Sequence, residues 1–307
     1  MRLAFTKMHG LGNDFVVIDG VSRDIHLSKE QIRALGDRHF GIGFDQLLLV
    51  EPSSAPRFDF SYRIFNADGS EVENCGNGAR CFARFVRERK LTAKKEIRVQ
   101  TSNSQMQLRV NEDQSVAVDM GTPVLSPADI PLDISEQKSR YDIDLDLRQL
   151  PESSVRTLHD AIQANPSLDA TVDASVNTMH LSFAAVSMGN PHAVVFVDKL
   201  DTFPVDVLGP LVENHCFFPN KVNVGFLQIH SINHGSLRVF ERGAGETIAC
   251  GTGACAAAAI GMLGNRFNRE VSLELRGGKL SISWPKNDAS LTMTGPAETV
   301  FYGHINI

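Results

Sequence analysis

Two cysteines of this 307-residue chain stand in the same short sequence, Cys-Gly-X-Gly-Ala, at Cys75 and Cys250. Small residues follow each of them and predict helices over Gly78–Arg89 and Gly253–Leu263. The first N–H groups of a helix lack intrahelical acceptors, and the helix dipole makes that end positive. Because glycine lets an anion approach the backbone closely, we expect each cysteine to lie beside an anion-binding helix N-terminus. The same field is expected to lower the thiol pKa and to favour thiolate.

A pair of such cysteines suits inversion at an amino-acid α-carbon. One thiolate removes the α-proton from one face, and one thiol returns a proton to the opposite face. Because this proton is very weakly acidic, the substrate carboxylate must take up the developing charge, and N–H donors at helix N-termini stabilise it. No clear signature of a pyridoxal phosphate site accompanies the cysteines, and we expect neither a cofactor nor a metal.

The two cysteines belong to an internal repeat. Residues 63–79 and 238–254 share Arg, Phe, Glu, Cys, two Gly and Ala in register, at a separation of 175 positions. Chance similarity between small residues near glycines does not account for this match, because the shared residues are not a low-complexity sequence. The two cysteines are therefore equivalent members of one repeated unit.

A second block extends the repeat. Gly12-Asn13 matches Gly189-Asn190 at a separation of 177 positions, and at that separation Gln46 falls opposite Asn223. Matched blocks in the same order predict two similar lobes about a pseudo-twofold axis. Equivalent residues, including the two cysteines, are expected to face one another across a cleft.

Apolar and alternating segments predict strands in both halves of the chain. They are Gln46–Val50, Arg57–Phe65, Ile97–Val110, Ser115–Met120, Ala193–Val197, Val224–Ile229, Leu237–Phe240, Val271–Leu275 and Leu280–Trp284. The second predicted helix is apolar all round, so we expect it to be buried and wrapped by a curved sheet. We predict an N-terminal lobe over residues 1–120, to which 297–307 return, and a C-terminal lobe over 121–296.

One region, Asp133–Asn177, breaks the symmetry of the repeat. It contains no glycine, and its nine acidic residues against four basic ones hold most of the net charge of −6. Val155, Leu158 and Ile162 are spaced for one face of a helix. We predict a surface insertion that carries a short helix, and we assign it no function.

Composition and charge narrow the function classes. Hydrophobic residues make up 42% and charged residues 21% of a mildly acidic chain, which favours an enzyme of two domains over a nucleic-acid-binding protein. No apolar run is long enough to span a bilayer, and the N-terminal residues lack a signal-peptide pattern. Five cysteines are an odd number, so we expect free thiols and a cytoplasmic location.

The cysteines have other interpretations as well. Cys81, Cys216 and Cys255 fit buried structural thiols. Cys81 follows Cys75 by six residues and Cys255 follows Cys250 by five, and neither spacing is typical of a zinc site. A disulfide between Cys75 and Cys250 would be an inactive, oxidised form.

Several motifs together resemble the diaminopimelate epimerase family, and they span nearly the whole chain. They are Lys7-Met8-His9-Gly10-Leu11-Gly12-Asn13-Asp14-Phe15, Glu73-Asn74-Cys75-Gly76-Asn77-Gly78-Ala79-Arg80-Cys81, Met188-Gly189-Asn190-Pro191-His192, Asn223-Val224-Gly225-Phe226, Glu241-Arg242-Gly243-Ala244-Gly245-Glu246-Thr247 and Ala249-Cys250-Gly251-Thr252-Gly253. The chain departs from the family pattern at two points. The insertion is longer than the usual connection, and Ala193 stands where many members have cysteine.

The resemblance implies an α+β fold of two pseudo-symmetric lobes, each a curved, mostly antiparallel sheet around a central helix. It implies cofactor-independent interconversion of LL- and meso-2,6-diaminopimelate in lysine and peptidoglycan-precursor synthesis. It also implies a homodimer, in which Tyr302 is a candidate interface residue. By position, Cys75 and Cys250 resemble the base and acid pair. The other residues implied are His192 for catalysis, Gly76, Asn77, Gly251 and Thr252 for the reacting carboxylate, Glu241 for the reacting amino group, and Asn66, Asn190, Asn223 and Arg242 for the distal end, with Asn13 and Gln46 nearby.

The residue types fit a substrate with two ammonium and two carboxylate groups. Arg242 suits a carboxylate through paired hydrogen bonds, and Glu241 suits an ammonium. The repeat fails here, because Asn66 and Ala67 stand opposite these charged residues. One end of the cleft is therefore expected to carry out the reaction, and the other end is expected to select the substrate. Each asparagine alone fits a turn or a cap equally well, but four at repeat-related positions favour binding.

Four alternatives remain open. A proline or hydroxyproline racemase shares the paired cysteines, but Asn13, Gln46 and the Glu241-Arg242 pair favour diaminopimelate. A related isomerase lineage replaces the cysteines with other acids or bases. A thiol–disulfide redox protein commonly has Cys-X-X-Cys, which is missing here. A non-catalytic amino-acid-binding protein would not need two cysteines at matched helix starts.

Overall fold

A computed structural model describes residues 2–72, 76–101 and 105–307. The chain divides into two compact units. The N-terminal unit runs to Met120 and resumes over Thr292–Ile307, and the C-terminal unit is Gly121–Leu291. None of the helices in the described ranges combines the length and apolar character needed to cross a membrane.

Among the described residues, strands outnumber helices in both units. In chain order the elements are β1 (Arg2–Gly10), β2 (Asn13–Asp19), α1 (Lys29–Gly36), β3 (Gln46–Pro52), β4 (Phe60–Asn66), β5 (Glu71–Val72), α2 (Gly76–Glu88), β6 (Glu96–Gln100), β7 (Gln105–Val110), β8 (Val116–Asp119), a 3₁₀ turn (Pro127–Asp129), β9 (Tyr141–Asp146), α3 (Glu152–Ala164), β10 (Ala170–Asp173), β11 (Thr178–Ser187), β12 (Pro191–Phe196), α4 (Val205–Glu213), β13 (Asn223–Ser231), β14 (His234–Glu241), β15 (Gly245–Thr247), α5 (Gly251–Leu263), β16 (Glu270–Leu275), β17 (Gly278–Ser283), β18 (Thr292–Gly295) and β19 (Glu298–Asn306).

The N-terminal unit is a mixed sheet with two helical crossovers. β1 and β2 form an antiparallel hairpin, and α1 connects β2 to its parallel neighbour β3. β4 is antiparallel to β3 and forms a hairpin with β5, and α2 precedes β6, which lies parallel to β4. Antiparallel β7 and β8 follow, while β18 joins β8 and β19 joins β1.

The C-terminal unit repeats this order of elements. β11 and β12 are antiparallel, α4 leads to the parallel strand β13, and β14 is antiparallel to β13. The hairpin strand β15 and then α5 precede β16, which lies parallel to β14 and antiparallel to β17. The prediction of two similar α+β units, each mostly antiparallel around a helix, is confirmed in the topology.

The repeated Arg and Glu form the same ion pair in each unit. Arg63 donates from Nε and Nη2 to the two carboxylate oxygens of Glu71 at 2.9 and 2.8 Å. Arg238 binds Glu246 in the same way, at 2.6 and 2.9 Å. Each pair joins the two strands of a hairpin, β4–β5 or β14–β15, that precedes a cysteine motif in the sequence. The repeat therefore extends from residue types to side-chain contacts.

A shared glycine conformation precedes the asparagines of the second repeated block. Gly12 and Gly189 have φ of 88° and 87°, in the left-handed region that favours glycine. Gly12 closes the hairpin between β1 and β2, and Gly189 lies in the turn between β11 and β12. The two turns bring Asn13 to the start of β2 and Asn190 to the residue before β12.

Helix α5 is the centre of the C-terminal unit. Residues 254–259 have 0% exposure, and β11–β14, β16 and β17 pack around the helix. A helix without a polar face is stable in water only when it is enclosed, so the predicted burial of this segment is confirmed. In the N-terminal unit α2 packs in the same way against β1–β3, β7 and β8.

Most predicted elements differ from the observed ones only by small shifts of their ends, but two predictions differ by more. Alternation predicts one strand over Ile97–Val110, but β6 and β7 are separate antiparallel strands. Residues 102–104 lie outside the described ranges, and the polar composition of 101–104 is one that sequence reasoning associates with a turn. The C-terminal return begins at Thr292 rather than at 297, because β18 pairs with β8 of the N-terminal unit.

The insertion belongs to the core of the C-terminal unit and is more than a surface excursion. β9 and β10 lie on either side of β11 as antiparallel neighbours. Residues of β9 alternate between buried apolar side chains and exposed aspartates. Leu158 of α3 is 1% exposed, and Val155 and Ile162 pack against the same cluster. The helix face predicted from their spacing is confirmed, and the acidic residues of β9 lie outside this core.

A methyl group at Gly261 tests how tightly α5 is enclosed. Its Cβ would lie 2.3 Å from Cδ2 of Phe267, so the ring must move. We expect Gly261→Ala to lower the free energy of unfolding by about 1–3 kcal/mol, although alanine is the better helix former. Urea unfolding followed by circular dichroism measures the change.

Gly264→Ala is the matched control at the end of the same helix. Its nearest neighbour, the carbonyl oxygen of Ile260, lies at 3.4 Å, which is an ordinary contact. We expect this variant to unfold within about 0.5 kcal/mol of the unmodified protein. Equal stability of the two variants would contradict a tight enclosure at Gly261.

Candidate active site

Cys250 caps the N-terminus of α5 and is 4% exposed. Its Sγ accepts a hydrogen bond from Gly253 N at 3.4 Å and lies 3.6 Å from Thr252 Oγ1. A Cβ at Gly253 would stand 3.2 Å from this sulfur, so glycine lets the thiol lie over the first turn. Gly251 and Thr252 begin the helix, and their N–H groups have no acceptor within it.

The surroundings of Cys250 disfavour thiolate, contrary to the expectation from the helix dipole. Burial, together with the negative charge of Glu241, raises the pKa of Cys250 well above its usual value. Hydrogen bonds with Thr252 and Gly253 act in the opposite direction but are outweighed. Desolvation can shift a pKa by several units, whereas a helix dipole contributes only about 0.3–1 kcal/mol. Cys250 is a free cysteine, protonated near neutral pH.

Glu241 ends β14 beside Cys250. Burial raises the pKa of the Glu241 carboxyl, and hydrogen bonds from Thr247 and from the Cys250 thiol partly offset this. Thr247 Oγ1 donates to Glu241 Oε1 across the hairpin formed by β14 and β15. Sequence reasoning missed Thr247, although its place in the hairpin after Glu241 could have indicated it. The charge of Glu241 and the ionisation of the Cys250 thiol are thus linked.

His192 and Asn190 form a second contact in the same unit. His192 lies on β12, is 1% exposed, and its Nε2 is 3.0 Å from Asn190 Oδ1. Burial, with the positive charge of Arg242, lowers the pKa of His192 to about 3, so the imidazole is neutral. A proton on Nε2 is the tautomer that can donate to the Asn190 carbonyl. Nδ1 is then an acceptor, and it has no partner among the described residues.

Asn223 holds the backbone on which Arg242 stands. Its Nδ2 donates to Pro191 O at 2.9 Å, and its Oδ1 accepts from Arg242 N at 3.0 Å. Asn223 is 3% exposed, whereas Arg242 is exposed and donates from Nη1 to Asn220 O at 3.0 Å. The structure therefore uses Asn223 to position the arginine. The binding role expected for Asn223 itself stays a prediction.

The amide side chains of the N-terminal unit contact one another in two pairs. Asn77 Nδ2 donates to Asn13 Oδ1 at 3.3 Å, and Asn13 Nδ2 donates to Asp45 Oδ2 at 2.9 Å. Gln46 lies opposite Asn66 in the β3–β4 register and donates from Nε2 to Asn66 Oδ1 at 3.1 Å. These hydrogen bonds orient uncharged donors and acceptors at one end of the sheet.

Sequence reasoning missed a network of charged residues that ends at Asp45, the acceptor of the Asn13 hydrogen bond. Lys7 Nζ donates to Asp14 and to Gly43 O, and Arg38 Nη2 donates to Asp14 and Asp45 at 2.7 and 2.9 Å. Burial alone would raise the pKa of Asp14, but Arg38 and Lys7 hold it well below its usual range. The signal that could have indicated this network was Lys7, a charged residue within the mostly buried strand β1. The network anchors Asp45, which binds Asn13.

Cys75 lies outside the described residues, as do Glu73 and Asn74 of its motif. The described part of this motif begins with Gly76, the first residue of α2, and with Asn77, which is 5% exposed. In the C-terminal unit the predicted residues form one connected region, because Glu241 and Arg242 are adjacent and join Cys250 to Asn223.

Comparison with known proteins identifies the family of this chain. A family model described as diaminopimelate epimerase matches residues 5–126 and 184–300. The chain belongs to the diaminopimelate epimerase family. Curated diaminopimelate epimerases of Azotobacter vinelandii and Teredinibacter turnerae are 50% and 48% identical to it over 307 residues, the full length of each protein. Residues 127–183 lie outside the family-model match, yet these relatives span the same full length.

Solved structures share the fold at low identity. A PhzF-family phenazine biosynthesis protein of Bacillus anthracis has a TM-score of 0.65 and 17% identity, with 100% of both chains covered. A hydroxyproline epimerase of Agrobacterium vitis has a TM-score of 0.58 and 14% identity, with 99% of this chain and 92% of that chain covered. These likenesses confirm the fold class that the resemblance implies, and nothing further.

The Glu241 carboxylate is expected to control the ionisation of Cys250. Glu241→Gln removes the negative charge, so the pKa of Cys250 falls and more thiolate is present at a given pH. We expect iodoacetamide to modify Cys250 about tenfold faster at pH 8, the effect of one pKa unit. Mass spectrometry of the Cys250 peptide measures the rate as a function of pH.

The sequence predicts that Cys216 is a buried structural thiol, but Cys216 is exposed, so that prediction is wrong, and Cys216 serves as an internal control for this measurement. Its alkylation rate should be the same in both proteins, because it lies outside the thiol–carboxylate pair. A Cys250 rate that stays unchanged, or that falls, in Glu241→Gln would show that the carboxylate does not raise the pKa.

Proposed function

We propose that this chain interconverts LL- and meso-2,6-diaminopimelate by a two-cysteine acid–base mechanism without a cofactor. The observation that carries the proposal is the Cys250–Glu241 pair at the N-terminus of α5, in a chain that belongs to the diaminopimelate epimerase family. A thiol supplies an exchangeable proton, a carboxylate binds an ammonium, and first-turn N–H groups bind a carboxylate. An amino-acid α-carbon carries both of these charged groups.

The proposed reaction removes one proton from the α-carbon and returns one proton to it. Cys75, as thiolate, removes the α-proton, and the electron pair passes into the carboxylate held by N–H groups of Gly76, Asn77, Gly251 and Thr252. The Cys250 thiol gives its proton to the opposite face of the α-carbon. Cys75 ends as thiol and Cys250 as thiolate, and the reverse reaction uses the exchanged states. The protonated Cys250 described above supports this direction for the first turnover.

Glu241 is proposed to link substrate binding to the reactivity of Cys250. Its negative charge is one reason why the pKa of Cys250 is high. A substrate ammonium bound by Glu241 would neutralise that charge, so the thiol would become a stronger acid when an amino acid is present. This link gives one residue two consequences, recognition of the ammonium and adjustment of proton transfer.

The distal amino-acid group is proposed to bind Arg242 with Asn66, Asn190 and Asn223, with Asn13 and Gln46 nearby. The exposed arginine supports this assignment because guanidinium binds carboxylate through parallel hydrogen bonds. His192 is proposed to assist catalysis as a neutral group, since its pKa of about 3 excludes imidazolium at neutral pH.

The remaining parts of the proposal concern biological context. We place the reaction in lysine and peptidoglycan-precursor synthesis, in the cytoplasm, and the lack of a cofactor or metal stays a prediction. We also propose a homodimer. Exposed Val300, Phe301 and Tyr302 on β19, at 56%, 45% and 59%, support an interface at this strand.

Exchange in heavy water tests the proposed reaction. We expect reduced protein to incorporate deuterium at one α-carbon of LL-diaminopimelate and to form the meso isomer, because the returning proton comes from a solvent-exchanged thiol. NMR and chiral chromatography measure the two products.

Proline and trans-4-hydroxyproline are the control substrates, since the nearest alternative is a racemase of these amino acids. They should show no exchange. Exchange of proline without exchange of diaminopimelate would overturn the substrate assignment.

Removal of either proposed acid–base group should stop the reaction. We expect Cys75→Ala and Cys250→Ala each to reduce epimerisation at least about 10³-fold, because inversion needs a group on both faces. The exposed Cys216→Ala variant is the control and should keep full activity. Full activity of Cys75→Ala or Cys250→Ala would refute the two-base mechanism.

A further inference from the structure

Glu213 is a buried carboxylate that the proposed mechanism does not use. It is the last residue of α4 and is 6% exposed. Burying a carboxylate is costly unless hydrogen bonds and opposite charge compensate it. The partners that compensate Glu213 therefore indicate its role.

Besides its chain neighbour Asn214, whose Nδ2 donates to Oε2 at 3.4 Å, Glu213 has partners on two separate segments of the C-terminal unit. Glu213 Oε1 accepts a hydrogen bond from Gly243 N at 2.8 Å. The same oxygen is 3.8 Å from Lys221 Nζ. Gly243 belongs to the turn after β14, and Lys221 belongs to the segment before β13. Glu213 thus ties this turn and this segment to the end of α4.

Both segments hold Arg242. Gly243 directly follows the arginine, and its φ of 75° fixes the turn in a conformation that favours glycine. Asn220, next to Lys221, accepts the hydrogen bond from Arg242 Nη1 at 3.0 Å. One carboxylate therefore restrains the backbone after Arg242 and the segment that orients its guanidinium.

Comparison of the two repeated units shows that the carboxylate and the arginine occur together in one unit and are both replaced by small residues in the other. α1 and α4 are equivalent crossover helices, and Gly36 stands opposite Glu213 at the separation of 177 positions. A Cβ at Gly36 would lie 3.0 Å from the carbonyl oxygen of Ala67, which is the residue opposite Arg242. The N-terminal unit thus has two small residues in contact where the C-terminal unit has a carboxylate and an arginine.

We propose that Glu213 is a positioning residue that presents Arg242 to the distal carboxylate of the substrate and so sets the preference for a dicarboxylic amino acid. The inference rests on the proposed function. Paired hydrogen bonds between guanidinium and carboxylate depend on orientation, so loosening the turn weakens them. In the proposed function Arg242 binds the distal end of the substrate and not the α-carbon that reacts, so it would bind the ground state and the transition state alike. The loss therefore appears in KM and leaves kcat nearly unchanged.

Steady-state kinetics with LL-diaminopimelate tests the proposal. We expect Glu213→Ala to raise KM about tenfold and to change kcat less than about twofold. Glu213→Gln keeps the acceptor oxygen but loses the charge, so a rise of about threefold is expected. Exposed Glu270→Gln in the same unit is the control and should leave both constants unchanged. Thermal unfolding verifies that each variant is folded.

A double variant separates positioning from a general structural effect. Once Arg242→Ala has removed the guanidinium, Glu213→Gln or Glu213→Ala should cause no further rise in KM. In the proposal both residues act through the same contact, the one between the Arg242 guanidinium and the distal carboxylate of the substrate. Glu213→Gln preserves the side-chain shape, so it supplies the comparison if Glu213→Ala does not fold.

Three results would overturn the inference. They are an unchanged KM in both Glu213 variants, a fall in kcat with KM unaltered, and independent multiplication of the Glu213 and Arg242 effects. Failure of the proposed function is a different observation, because the unmodified protein would then not epimerise diaminopimelate at all.

Discussion

Enclosure of the apolar helix α5 is the constraint on which the C-terminal unit depends. Eleven of its residues are buried, so strands must surround the helix and its polar backbone ends become the places where a ligand can be held. Cys250 occupies the N-terminal end as its cap. The glycine at position 253 completes this arrangement, because a Cβ there would lie only 3.2 Å from the sulfur and 3.0 Å from Val239 Cγ2. Packing of the core and the environment of Cys250 therefore depend on the same few residues.

Burial of this end also decides the electrostatics of the site. Desolvation and a neighbouring carboxylate hold Cys250 as thiol, and desolvation keeps His192 neutral. A thiol in such an environment responds to any change in the neighbouring charge, because its pKa depends on that charge. In the proposed reaction, the ammonium of the substrate would supply the charge that changes the acidity of Cys250.

The internal repeat divides the structure into what is shared and what is specific. Both units have the same strand order, the same Arg–Glu ion pair within a hairpin and the same left-handed glycine before an asparagine. They differ at the end of the fourth and fourteenth strands, where Asn66 and Ala67 correspond to Glu241 and Arg242. Shared features build two similar frameworks, while the adjacent charges of Glu241 and Arg242 occur in only one of them.

The sequence by itself determined the repeat, the buried helix, the paired cysteine motifs and the loss of symmetry at Glu241 and Arg242. These properties follow from residue types at fixed spacing along the chain. Only the tertiary structure decided that Cys250 is protonated, that Thr247 holds Glu241, that Asn223 is occupied by backbone groups and that the insertion enters the core. The physical reason is that desolvation and contacts between distant residues depend on where the folded chain excludes water, which local spacing does not specify.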